Sequence, residues 1–382
     1  MIILAGGLLR TSTVQNWLVG IAARELSQRL GTEVGIKHVD LSLFDRAYLE
    51  GTLVRDQKMD TLLYAGALTI SITDWFFLRD RSELHYIGLK DAIINLRRSD
   101  SIWNYAFIAD RLGGSPNTDT TPKKSSGKRL HIDLRRAELA NIRFNFIDGW
   151  KGQDMIASLR YLNVEADGFD ADKHRLGLSS VEVLSPRFTV SQYTGNRPDS
   201  LIPKGATMPD PITGLKWNTD DWDIAVKRVT LKDGVFRNEM ESTDPRVSYF
   251  DPNHIEFADI QATLRDMRFH KDTLSADIKL GSRERSGFVV NSLESHFIFH
   301  PEAMIFDKLD IRTPYSHLRH YYAMRYKDFN DDMSRFIHHV KLEGRFSNST
   351  LGARDIAFFA PELDRWNKQT VKVEGSATGT ID

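Results

Sequence analysis

No cysteine occurs anywhere in the 382 residues. Disulfides, thiol nucleophiles and cysteine-ligated metals are thereby excluded. The absence fits an oxidising compartment in which the fold manages without bridges. Charge of one sign is equally lacking. The 51 basic residues are matched by 52 acidic ones, for a formal net charge of −1, whereas a nucleic-acid binder carries a basic excess. Basic pairs such as Lys123–Lys124 stand in a polar, turn-rich stretch and read as solvated. Long hydrophobic runs are missing too. The opening run at residues 1–9 (MIILAGGLL) stops at Arg10, well short of the ~20 residues of a membrane span. It also lacks the charged start and cleavage site of a secretory signal. Two readings of it remain: a short buried start, or the last part of a membrane anchor.

Chemistry-bearing motifs are absent as well. HExxH, GxSxG, a Walker loop and GxGxxG do not occur. The 12 histidines are scattered. His317 and His320, three apart on a strand, fall on opposite faces, and the neighbours His338 and His339 diverge. Neither pair supplies the convergent ligands that zinc needs. Asp220, Asp221 and Asp223 lack the twelve-residue calcium-loop pattern and read as a solvated turn, as do Asp331 and Asp332. No acid, base and nucleophile constellation is assembled. The expectation is a protein that is not an enzyme and holds no cofactor or metal.

What the chain does have is alternation. Residues 222–237 (WDIAVKRVTLKDGVFR) place apolar side chains at Ile224, Val226, Val229, Leu231 and Val235. Period two marks a strand with one apolar and one wet face. Parity breaks at Lys227–Arg228, where one extra residue keeps both halves apolar on the same face. Asp233–Gly234 supplies a turn signal. The pattern returns at residues 130–146, with Ile132, Leu134, Leu139, Ile142 and Phe144. It returns again at 254–269, with Ile255, Phe257, Ile260, Leu264, Met267 and Phe269. Residues 36–54 and 84–97 are looser copies. Roughly 30 to 50 residues separate the copies, an interval that suggests stacked repeats of pattern.

Around these copies the reading is as follows. Ser12 or Thr13 caps an amphipathic helix over residues 13–31, apolar at Val14, Trp17, Leu18, Ile21, Ala22 and Leu26, stopped by Gly31 and plugging the end of the sheet that follows. From Thr32 onward the period is two, and a continuous β domain runs over 32–382. Two long excursions interrupt it, at about 113–129 and 192–221. A short helix is read at 101–112, a strand at 336–346 and a short apolar segment at 356–363. The final run, 371–382, begins a strand pattern and stops, which reads as a C-terminal truncation. About fifteen strands and two or three helices, with no strand–helix alternation, give a mainly β fold built on a long antiparallel sheet. Sheets this long curl, close or split.

The one-sided strands can line an ordinary sandwich or barrel core, or an open groove. The candidate lining is Ile132, Leu134, Ile142, Phe144, Val226, Val229, Leu231, Ile255, Phe257, Ile260 and Leu264. Carrying an acyl chain of about sixteen carbons through water costs roughly 12 kcal/mol at ~0.8 kcal/mol per methylene, so a lipid carrier needs such a lining. Pattern alone leaves three readings open: a lipid conduit, a factor that offers strand edges to clients, and a closed β scaffold.

Several stretches resemble the AsmA-like superfamily, and within it the TamB branch of translocation and assembly module proteins. They are residues 13–31 (TVQNWLVGIAARELSQRLG), 33–66 with VRDQ and DTLLYAG, 94–110 (INLRRSDSIWNYAFIAD) and 355–363 (DIAFFAPEL). The resemblance covers most of the chain, and the order of the pieces carries more than any single one. It implies a taco-shaped β groove and an anchor in the inner membrane of a diderm bacterium, with the bulk of the chain periplasmic. It also implies phospholipid as cargo, and an Omp85-type outer-membrane partner reached through a C-terminal region that this chain lacks.

Overall fold

A computed structural model describes residues 12–41, 46–73, 83–112, 134–170, 173–201, 218–245 and 248–382. Alternating β-branched and aromatic residues set the dominant element, and the protein is mainly β with few short helices. The chain divides into two compact units, one of Met1–Phe169 and Phe188–Pro198, the other of Asp170–Arg187 and Asp199–Asp382.

Unit 1 opens with helix α1 (Ser12–Leu30), closed by left-handed Gly31 (φ 62°). Of its apolar stripe, Trp17 is 61% exposed and Ile21 and Leu26 are exposed too, and among the described side chains of the helix Val19 and Leu30 are buried. Strands β1 (Val34–Gly35), β2 (His38–Leu41), β3 (Arg46–Arg55), β4 (Thr61–Thr73) and β5 (Glu83–Arg98) follow. Helix α2 (Ala106–Leu112) then precedes β6 (Arg136–Asp148), β7 (Gln153–Asp170) and β9 (Arg187–Gln192). Strands β3, β4 and β5 pair antiparallel, as do β6 and β7.

Unit 2 contains β8 (Arg175–Leu184), β10 (Asp223–Met240), β11 (His254–His270), β12 (Thr273–Glu284), β13 (Val289–His300), β14 (Ala303–Arg312), β15 (His317–Arg325), β16 (Lys341–Gly352) and β17 (Thr370–Gly379). From β10 to β17 each strand pairs antiparallel with the next. Short helices α3 (Phe329–Ser334), α4 (Phe336–His339) and α5 (Ala353–Phe359) stand at strand ends.

Among the described residues, strands also pair in parallel. Strand β5 pairs with β6, and β8 with β10, in parallel. Parallel neighbours need a crossover of a dozen residues or more. The two long excursions read from the sequence fall in the chain between these strands.

The parity breaks are made by left-handed residues. Asp91 on β5 (φ 52°) and Asn141 on β6 (φ 55°) lie at the break in that ladder, and the Asn141 Nδ2 donates to Asp91 Oδ1 at 2.8 Å. With Asn141 as the extra residue, Leu139 and Ile142 stay on one face. Asx residues enter this region at lower cost than other side chains. On β10 the ladder pairs Val226 with Met267 and Arg228 with Arg265, and Asp266 opposite the expected break is left-handed (φ 49°). Asp233 (φ 55°) does not turn the chain as expected. It is a bulge within the unbroken strand β10, matched by left-handed Asp259 on β11. Residues 336–339, read as strand, form α4, and the strand starts at Lys341. Residues 353–359 are helical, overlapping the start of the 356–363 run read only as a short apolar segment.

Candidate functional site

Register shows which side chains share a face, because residues directly opposite in a ladder project the same way. In unit 2 one row runs Leu176, Ile224, Phe269, Leu274, Phe299, Met304, Met324, Leu342 across eight strands. A second runs Val183, Leu231, Ala262, Leu280, Leu293, Ile311, Leu318. Between them Val181, Val229, Leu264 and Ile278 are aligned. Rings fill the middle of this face, with Phe297 5.1 Å from Phe306 and Phe306 6.3 Å from Tyr322.

The opposite face is charged. Its row reads Glu182, Thr230, Thr263, Lys279, Glu294, Asp310, Arg319. Lys279 Nζ meets Glu294 Oε1 at 2.7 Å and, by donating to it, holds that carboxyl below its usual range. Arg312 does the same for Asp310, which His317 also contacts at 2.9 Å. One unit thus presents a wet face and an apolar one.

On the apolar face Val226 is 2% exposed and Ala262, Ala276, Val290 and Leu309 are also buried. The large residues Phe269, Phe297, Phe299, Phe306, Ile278, Leu280 and Met304 remain partly exposed. The inner layer of a sandwich is packed to crystal density, and these side chains are not.

Most of the expected lining residues occupy such faces. Val229, Leu231 and Leu264 lie in the aligned rows just described, while Val226 pairs with Leu178 and Met267, Ile260 with Gly234, Phe257 with Phe236 and Ile255 with Asn238. In unit 1, Ile142 pairs with Ala92 and Leu159. Phe144 lies in the row Val54, Leu63, Ile94, Phe144, Ala157. Leu134 precedes β6, and Ile132 lies outside the described residues. The sequence reading missed the aromatic group of Phe250, Phe288, Phe358 and Phe359, with centroids 5.0–6.0 Å apart. Its signal was the Phe-Phe pair inside the 356–363 segment.

A buried histidine locks the end of the first hairpin of this meander. His254 Nδ1 donates to Glu239 Oε2 at 2.6 Å, and its Nε2 lies 2.8 Å from the Thr243 carbonyl oxygen. The bond to Glu239, helped by the Thr243 carbonyl and the negative potential of Asp251, raises the imidazole pKa above its ordinary 6.5. A raised pKa means the pair's contribution is fully present below about 6.5 and is lost as pH rises through the folded value. The melting temperature should therefore fall as pH is raised from 6 toward alkaline values, and His254→Gln should abolish that part of the slope. A wild-type and a variant with superimposable profiles would remove the assignment.

Among the described residues no three or more His, Asp or Glu side chains cluster as metal ligands. No helix among them is long and apolar enough to cross a membrane. A scan against protein-family models finds none that matches this chain, and a search of curated proteins likewise returns no match.

Proposed function

We propose that this protein is a non-enzymatic carrier of phospholipid acyl chains, whose apolar sheet faces solvate hydrocarbon. The observation that carries the reading is the partly exposed apolar face of unit 2, continuous from β8 to β16. Contiguous apolar surface of this extent marks an interaction site. Its lining is aliphatic and aromatic with no specific polar grip, which suits chains of varied length and saturation. The resemblance to TamB-like proteins supplies the setting of this reading: an inner-membrane anchor, a periplasmic path, and an Omp85-type partner at the far side.

The test is lipid co-purified with the protein and read by mass spectrometry. Phe257→Asn places a polar amide between Phe236, which is 37% exposed, and Glu284 on β12, so it breaks the apolar lining without setting a charge opposite a carboxylate. The variant should lose most of its lipid while melting close to wild type. Full retention would refute the lining. Strand β17 is exposed along nearly its whole length. Photo-crosslinkers placed there that trap an outer-membrane protein, with no lipid bound elsewhere, would instead favour strand pairing with clients.

A further inference from the structure

At one end of the unit 2 face, helix α5 folds back over the end of β14, the start of β15 and the end of β16. Between them lies a cavity of about 240 Å³ whose exposed lining is entirely apolar, formed by Phe288, Ile311, Leu318, Leu351, Ile356 and Phe359. We propose that this cavity is the seat for the methyl end of a single acyl chain lying along the sheet. The proposal rests on the acyl-carrier reading above and adds to it a fixed end point and a polarity for the bound chain.

Three observations define the occupant. The first is size. A dry apolar cavity of ~150 Å³ already holds a benzene ring, and this one is larger, so it accepts several methylene groups and no second chain. The second is continuity. Ile311 and Leu318 are ladder partners at the end of the row that contains Leu231, Leu280 and Leu293, so hydrocarbon laid on the face reaches the cavity without crossing polar surface. The third is the fate of the polar groups in its wall. Thr313 and Ser316 both donate their hydroxyls to Asp355 Oδ2, and Ser316 Oγ accepts from the Gly352 N–H at 3.0 Å. These groups satisfy one another and offer a headgroup nothing. A phosphate or glycerol end would lose its water there without compensation, whereas a methyl end loses none.

The helix is seated closely enough to keep this shape. At Gly352, which precedes α5, a Cβ would stand 2.6 Å from the Tyr315 carbonyl oxygen, so the chain approaches the β14–β15 turn as only glycine permits. Phe358 stacks at 5.0 Å on Phe288 and pins the helix from beneath, while Phe359 is 58% exposed at the cavity mouth.

Doxyl-labelled stearic acid tests the proposal by electron paramagnetic resonance. With the full chain, a label at carbon 16 should be strongly immobilised and shielded from a water-soluble relaxing agent, and a label at carbon 5 less so. Ile356→Trp fills the cavity. Expelling about two methylene groups corresponds to roughly tenfold weaker binding, with the carbon-16 label turning mobile and the carbon-5 label little changed. Phe359→Ala removes an exposed side chain, leaves the fold intact, and should loosen the carbon-16 label alone. If both labels bind but neither variant moves the carbon-16 signal, the end-seat is wrong and the carrier reading stands. If neither labelled acid binds, both are wrong.

Discussion

Val226→Asp is expected to unfold unit 2. The side chain is 2% exposed and lies between Leu178 on β8 and Met267 on β11. An unpaired carboxylate in such a position costs about 3–5 kcal/mol beyond the lost apolar burial, against the ~5–15 kcal/mol that holds a typical domain together. Val226→Ala, which only deletes methyl groups, should cost about 1–3 kcal/mol. Urea unfolding followed by circular dichroism separates the two. The aspartate has its pKa raised by burial, so the variant should regain stability as pH falls toward 4. A Val226→Asp protein that unfolds at the wild-type urea concentration would mean this part of the face is hydrated.

The second large effect is expected at Gly152, in the turn between β6 and β7. This residue is left-handed (φ 76°), and a Cβ on it would lie 2.0 Å from the Tyr193 carbonyl oxygen and 2.5 Å from the Gly195 nitrogen. The clash is with backbone, which cannot step aside without breaking Tyr193 N–H to Gly152 O (2.9 Å) and Arg197 N–H to Trp150 O (3.0 Å). Those bonds tie the 193–197 segment to the end of the sheet. The same turn is braced by the two-pronged Arg98–Asp148 pair, both arms 2.7 Å, with the guanidinium 4.7 Å from the Trp103 ring centroid. Gly152→Val therefore adds left-handed strain of ~1–2 kcal/mol to a backbone displacement, at least ~3 kcal/mol together. Gly168→Ala, with nothing within 4 Å of its added carbon, is the control. Equal melting temperatures for the two variants would show that the turn tolerates a side chain.

The strands and their faces were legible because a period of two is a local property that burial on one side imposes on every strand. Val229, Leu231, Phe257 and Leu264 could be placed on one face before any register was known. The parity break at Lys227 was legible for the same reason, but its author was not: the left-handed residue is Asp266, on the neighbouring strand, and a single strand's sequence does not show which partner yields. Asp233–Gly234 misled because an Asp-Gly pair serves a turn and a bulge equally well, and only the ladder on both sides selects the bulge. The two parallel pairings and the cavity under α5 depend on contacts between residues dozens of positions apart. Nothing in 356–363 except the paired phenylalanines announces a helix folded over the sheet.

From β11 to β16 each strand of the meander is bonded on both sides to its sequence neighbours. Such an architecture is extensible. A hairpin duplicated within it widens the sheet by two strand spacings, about 10 Å, without asking any distant residue to change. Reach thus becomes a quantity that gene duplication can adjust in steps, independently of the chemistry of the surface, much as links set the length of a chain.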